Sequence, residues 1–268
     1  MLWSVSNLTG YGVQATDGVV GQVRDVLFED TTSTVRYLVV DTGTWLSGRR
    51  VLISPAAVGR PDPAGRLIPV ALTKRQVEDS PDVDTDKPVS RQQEDALHGH
   101  YGWAPYWGAP TAPGLGPYYA VPPLAAGAPP YWGTPAATAD GSGETPTERE
   151  AAAAERQQGD PHLRSASEVI GYYIEATDGE IGHVEDLLAE DGSWAIRYVV
   201  VDTRNWWPGK KVLVSPQWME RVDWADQRVW INLTRDEIRH SPEYDPASDV
   251  DRAYEERLHR YYGRTGYW

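Results

Sequence analysis

The chain has no cysteine, which excludes disulfides, thiolate metal ligands and thiol nucleophiles. Phenylalanine is nearly absent: Phe28 stands alone beside 12 Trp and 15 Tyr. Basic residues are scarce, 25 Lys and Arg against 39 Asp and Glu, for a formal charge of −14. Phosphate recognition needs dense Lys and Arg, so nucleic acid is not expected as a partner. The acidity is read as serving solubility. No apolar run approaches the roughly 20 residues that cross a bilayer. Residues 1–30 lack the basic start and apolar stretch of a signal peptide. These features predict a soluble, cytoplasmic protein without a transmembrane segment, leaving room for peripheral association with a membrane complex. Glycine-rich phosphate loops, nucleophile elbows and Cys/His dyads are missing as well.

What is present is a repeat. Ala15-Thr16-Asp17-Gly18, Gly21, Arg36–Thr42 and Val51–Pro55 return as Ala176-Thr177-Asp178-Gly179, Gly182, Arg197–Thr203 and Val212–Pro216, always 161 residues later. Self-similarity at a fixed offset sets the domain plan before propensity is considered. Each copy reads as short strands broken by turns. Tyr11–Ala15, the Asp17-Gly18 turn and Gly21–Glu29 make a hairpin. Val35–Asp41 is a continuous β-branched and aromatic run, the pattern of a strand buried on both faces. Arg50–Ile53 and Arg66–Leu72 follow. Thr73–Gln76 and Thr234–Glu237 fit the capping box that opens a helix. Ser80-Pro81 and Ser241-Pro242 stop these helices.

The plan is a first barrel over 1–87, a short helix over 88–102, a linker over 103–144 and a helix over 145–159. A second barrel covers 162–245, and a helix with an aromatic tail covers 246–268. The linker is poor in charge and rich in Pro, Gly, Ala, Tyr and Trp, including Pro105-Tyr106-Trp107-Gly108 and Pro130-Tyr131-Trp132-Gly133. Such composition offers no periodic face to bury. The fold class expected is mainly β: two small antiparallel barrels with short C-terminal helices.

This ensemble resembles the PRC-barrel. The residues that carry the likeness are Gly10, Tyr11, Ala15–Gly18, Gly21, Val23, Asp25, Arg36–Thr42 and Val51–Pro55. Their counterparts are Gly171, Tyr172, Ala176–Gly179, Gly182, Val184, Asp186, Arg197–Thr203 and Val212–Pro216. The resemblance implies a small antiparallel β-barrel, the fold of the cytoplasmic domain of the photosynthetic reaction-centre H subunit and of a ribosome maturation factor domain. Both use the barrel to bind protein rather than to catalyse. The reading is therefore a non-enzymatic adaptor for an unknown protein partner. Regulation of photosynthetic electron transfer and a ribosome-maturation role are the alternatives.

Candidate residues fall into two groups. Asp17, Gly18, Gly21, Asp25, Arg36 and Asp41, with Asp178, Gly179, Gly182, Asp186, Arg197 and Asp202, form the repeated signature. Asp17 and Asp178 are read as turn residues because calcium-loop spacing is missing. Asp25, Asp41 and Arg36 could form an acid–base set, or an ion-pair and turn-capping network; the network is preferred. His98, His100, His162, His183, His240 and His259 lack metal-ligand spacing and are read as surface or helix-terminal. No cofactor, metal or catalytic residue is expected. The second group is Trp194, Trp207, Trp218, Trp224 and Trp230, which the first copy lacks. They suggest an aromatic contact face for the first copy, the linker or a partner. The duplication itself suggests intramolecular pairing of the two copies, or a homo-oligomer, through open sheet edges.

Overall fold

The computed structural model describes residues 1–81, 89–107, 160–203 and 210–268. Most of the expected linker, the expected helix over 145–159 and Trp207 lie outside them. The first unit contains β1 (Leu2–Ser4), α1 (Val5–Leu8), β2 (Gly12–Ala15), β3 (Gly18–Glu29), β4 (Thr34–Asp41), β5 (Arg50–Ile53), β6 (Leu67–Pro69), α2 (Lys74–Glu78) and α3 (Arg91–Tyr101). The second contains β7 (Leu163–Ser165), α4 (Ala166–Val169), β8 (Tyr173–Ala176), β9 (Gly179–Glu190), β10 (Ile196–Asp202), β11 (Lys211–Val214), β12 (Met219–Asp223), β13 (Arg228–Ile231), α5 (Arg235–His240) and α6 (Arg252–Tyr261).

Local chemistry sets the helix ends. Thr73 and Gln76 close a capping box at α2, and Thr234 with Glu237 does so at α5. Ser90 and Gln93 add a third box at α3, which the sequence reading passed over. Gly102 ends α3 in the left-handed conformation at φ +70°.

Each unit is a mixed sheet, ordered β5-β4-β3-β2-β6 in the first and β11-β10-β9-β8-β13-β12 in the second. The expectation of antiparallel barrels is corrected here. β6 runs parallel to β2, pairing Gly12 with Leu67, and β13 runs parallel to β8, pairing Tyr173 with Arg228. The chain returns to the hairpin's outer edge in the direction of β2, a crossover that strand propensity does not reveal. Among the described residues no sheet closes into a barrel. β3 and β4 are central, and Val35, Leu38 and Val40 are fully buried. Where β3 passes the end of β4 the backbones nearly touch. A Cβ on Gly21 would overlap the carbonyl oxygen of Asp41, and one on Gly182 would overlap that of Asp202. This close approach is the reason for glycine at both positions.

The first strand of each unit belongs to the other unit's sheet. β1 pairs antiparallel with β9, Leu2 to Glu190 and Ser4 to Leu188. β7 pairs antiparallel with β3, Leu163 to Glu29 and Ser165 to Leu27. Every partner in one ladder is the 161-residue counterpart of a partner in the other. The relation holds at the centre of the seam too. Val35 N–H donates to Trp194 O at 2.9 Å, and Ile196 N–H donates to Ser33 O at 2.7 Å. Thr34 bridges Ala195, its own counterpart. The two units are thus related by a pseudo-two-fold axis. One continuous apolar cluster runs through both, with Trp3, Val5 and Leu8 beside residues such as Leu187 and Leu188.

Gly21→Ala should therefore lower the unfolding free energy by about 1–3 kcal/mol, the usual penalty of overpacking. Urea denaturation of the full chain checks this, with Gly99→Ala in α3 as a comparison, because a Cβ there meets nothing within 4 Å and the backbone is not left-handed.

Candidate functional site

The repeated polar residues do not converge on one site. Asp25 faces across the seam. Its carboxylate accepts from the Ser165 hydroxyl at 2.5 Å, the Ser167 hydroxyl at 3.1 Å and the Ser167 amide at 3.2 Å. Asp186 mirrors this, accepting from the Ser4 hydroxyl and from the Ser6 amide and hydroxyl, both at 2.9 Å. Ser4 and Ser165 also cap the short helices that follow β1 and β7, so one hydroxyl ties the strand, the helix and the opposite unit together. Asp17 and Asp178 accept from the first amides of α2 and α5, Lys74 N at 2.8 Å and Arg235 N at 2.7 Å. Asp41 holds the Gly43 amide at 2.8 Å. Arg36 pairs with Glu29, and Arg197 with Glu190, rather than with any of the repeated aspartates. Asp202 is buried at the end of β10.

The tryptophans are likewise divided. Trp194 is buried at the seam, and Trp218 is buried 5.3 Å from His259 and 4.8 Å from Tyr262. Trp224 lies under the Arg164 guanidinium at 4.0 Å, and Trp230 under Arg221 at 3.9 Å. Of these four described rings, two are buried and two stack under arginines. In the first unit the place of Trp218 is taken by Ala57, yet Trp103 stacks on Tyr101 at 4.2 Å and lies 5.8 Å from His98. The linker thus returns a ring that β-strand comparison counts as missing.

Each unit also carries a buried polar cluster under a Tyr-Trp pair, which sequence reasoning missed. In the first unit the Tyr37 hydroxyl lies 2.9 Å from Glu94 Oε1 and 2.9 Å from His98 Nε2. The Tyr106 hydroxyl donates to the same Glu94 oxygen at 2.5 Å. The Arg36 guanidinium stands 4.0 Å from the Tyr106 ring, and that of Arg91 stands 4.5 Å from the Trp107 ring. In the second unit Tyr198 lies 3.1 Å from Glu255 and 3.0 Å from His259, and Tyr267 donates to Glu255 at 2.5 Å. Arg197 sits 4.0 Å from Tyr267 and Arg252 sits 4.2 Å from Trp268. His98 and His259 occupy last helical turns but are buried, with exposures of 6 % and 4 %. The spacing Glu-x-x-x-His on a helix, with aromatic residues shortly after it, is the signal that was available in the sequence.

Burial pushes Glu94 up to about 7, against the opposing pull of Tyr106, Arg91 and Tyr37. Burial lowers His98, so its imidazole is neutral near neutral pH. The two protons are linked through Tyr37. His98 Nδ1 faces the Ala104 carbonyl at 3.2 Å and must carry the hydrogen there. A neutral ring then takes the Tyr37 hydrogen at Nε2, which suits a protonated Glu94 donating to the Tyr37 oxygen. An ionised Glu94 draws the Tyr37 hydrogen to itself, its carboxylate accepting from the Tyr37 hydroxyl.

A separate surface depression of about 560 Å³ lies in the first unit at Val19, Gly21, Asp41 and Trp45. Val19 is 51 % exposed there, and the Lys74 ammonium stands 4.6 Å over the Trp45 ring. Among the described residues no cluster of three or more His, Asp or Glu could hold a metal, and no helix is long and apolar enough to cross a membrane.

With this geometry in hand, comparison with known proteins places the first unit. Residues 4–77 match the PRC-barrel domain family. The chain is also similar to an uncharacterized protein of Deinococcus radiodurans, 39 % identical over 85 residues, 32 % of this chain. The match spans 30 % of that relative's length.

Two outcomes follow. Asp25→Ala should cost roughly 2–3 kcal/mol of unfolding free energy, as loss of a charge-assisted hydrogen bond does, with Ser165→Ala adding on top of it only the roughly 1 kcal/mol of its lost α4 cap; a urea double-mutant cycle reads this. The second concerns pH. The unfolded Glu94 titrates near 4.5 and the folded one at about 7. Between these values the folded state keeps a proton that the unfolded state has lost. Stability from this group therefore falls as pH rises from 4.5 to 7, by about 3 kcal/mol, and is level above. Glu94→Gln should flatten that slope in denaturation curves at pH 5 and pH 7.

Proposed function

We propose that this is a non-enzymatic binding protein of two PRC-type units clasped by strand exchange, acting on a protein partner. The observation that carries the reading is the fate of the repeated polar residues. Asp17, Asp25, Arg36 and Asp41 are each engaged by the fold itself, as a helix cap, a seam contact, an ion pair and a turn cap. Groups committed to structure in this way are not held free for acid–base work. The same reading of the second unit is supported by the strand-for-strand correspondence of β7–β11 with β1–β5 and by the reciprocal seam. A protein partner is favoured by the depression beside Val19 and Trp45, where an exposed aliphatic group and an aromatic ring with a cation above it lie together.

A photo-crosslinking amino acid at Val19 of the full chain, irradiated in the native cell, should yield discrete protein adducts. The same group at the exposed Glu220 should not. Absence of Val19-specific protein adducts would count against a binding role for this face.

A further inference from the structure

The Tyr-Trp pair is seated the same way twice, on residues that correspond one to one. Glu94, Arg36, Arg91 and His98 receive Tyr106-Trp107, and Glu255, Arg197, Arg252 and His259 receive Tyr267-Trp268. The Trp rings meet the histidines edge-on at 4.7 Å and 5.1 Å. Two independent instances of one geometry define a socket: a carboxylate at its floor for the Tyr hydroxyl, and two guanidinium planes for the rings. The chain holds a third Tyr-Trp. Pro130-Tyr131-Trp132-Gly133 repeats Pro105-Tyr106-Trp107-Gly108 residue for residue.

We propose that the first unit's socket is an exchangeable Tyr-Trp binding site, and that Tyr131-Trp132 of the same chain is its second ligand, displacing Tyr106-Trp107. Reach does not forbid it. The described chain stops at Trp107 before Tyr131 and resumes at Asp160 after it. Asp160 is bonded to Arg91 at 2.5 Å and through its amide to Val89 O at 2.7 Å. The described residues on both sides of that segment therefore stand beside the socket. Loop closure favours the nearer pair, five residues past Tyr101 rather than thirty. With a cost growing as three-halves of the logarithm of length, the bias is about fifteen-fold. The stacking of Trp103 on Tyr101 adds to it. The nearer pair therefore holds the socket at rest, and the farther one is a minority ligand. Exchange would change the chain between the socket and residue 160 from 52 residues to 27, counted on the sequence, so occupancy sets how much linker is free.

The test uses the full chain with 5-fluorotryptophan, the Trp107 and Trp132 resonances being assigned by single substitution. Tyr106→Ala with Trp107→Ala empties the socket. The proposal expects the Trp132 resonance to move to the position that docked Trp107 holds in the unaltered chain, at every protein concentration. An unmoved Trp132 would overturn it. A shift that appears only as concentration rises would assign the ligand to a second copy, and would overturn the intramolecular form. Should the double variant lose its fold, the unaltered chain is titrated with the peptide acetyl-Pro-Pro-Tyr-Trp-Gly-Thr-amide, the sequence of residues 129–134, up to millimolar concentration, the range of effective concentration for a short tether. Saturable displacement of the Trp107 resonance, absent with the Ala-Ala peptide, supports the site; no displacement overturns it. Neither readout depends on the Val19 face.

Discussion

The reciprocal exchange of β1 and β7 is the constraint on which the molecule depends. A sheet with an open edge offers unpaired amides and carbonyls to any passing strand. Here the part of β9 that runs past β8 is met by β1, and the part of β3 that runs past β2 is met by β7, so each unit pairs a stretch that the other's own strands leave open. The exchange also extends the core, because Trp3, Val5 and Leu8 are buried in a cluster shared by both units. Three-residue strands would not hold alone. What fixes them is the carboxylate of Asp25 or Asp186, accepting from two serines of the other unit at the point where strand becomes helix. The roughly two-fold symmetry means one design, present once in the repeat, serves twice.

The buried Tyr–Glu–His clusters impose a second requirement. A fully buried Glu94 must be either neutral or well supplied with donors. Tyr37 and Tyr106 donate to it and the Arg91 guanidinium stands beside it as a counter-charge, and burial still prevails in the direction of its proton affinity. Tyr37 and Arg91 come from the strand β4 and the helix α3, but Tyr106 comes from the start of a segment rich in Pro and Gly. A stretch that looks like a spacer is therefore part of the fold at its first residues.

The sequence made the strand runs, the capping boxes and the two-unit plan readable because these depend on local pattern. Val35–Val40 is buried on both faces, as its run of β-branched and aromatic residues implies. The parallel pairing of β6 with β2 was not readable, since strand direction depends on how the intervening chain crosses over. β1 and β7 were missed because three residues that pair only with another unit carry no local signature. Comparing the copies read Trp218 as surplus in the second unit. In space its counterpart is Trp103, which is not 161 residues away but arrives from the linker. An offset compares positions in the chain, whereas packing compares volumes, and a ring can be supplied from either side of a helix end. For the same reason the histidines were underrated: a last-turn histidine is exposed unless something folds back over it, and here Trp103 and Trp107 do.

The seam and the socket turn out to be two ends of one interaction. Glu29 pairs in register with Leu163 of the exchanged strand, and its carboxylate holds Arg36. Arg36 is almost wholly buried, and its Nη1 has no hydrogen-bond acceptor. What its guanidinium meets instead is the Tyr106 ring at 4.0 Å, a cation–π contact of the kind that gains strength when desolvated. Leu2, Glu190, Arg197 and Tyr267 repeat the series in the other unit. A guanidinium so placed cannot lose the ring without exposing or reorienting its charge, and it cannot reorient without disturbing the carboxylate beside the exchanged strand. Arg36 and Glu29 are thereby shared between the socket and the seam. The aromatic pair is therefore no mere cover for a hydrophobic patch, and a change of ligand there has a physical route to the clasp between the units.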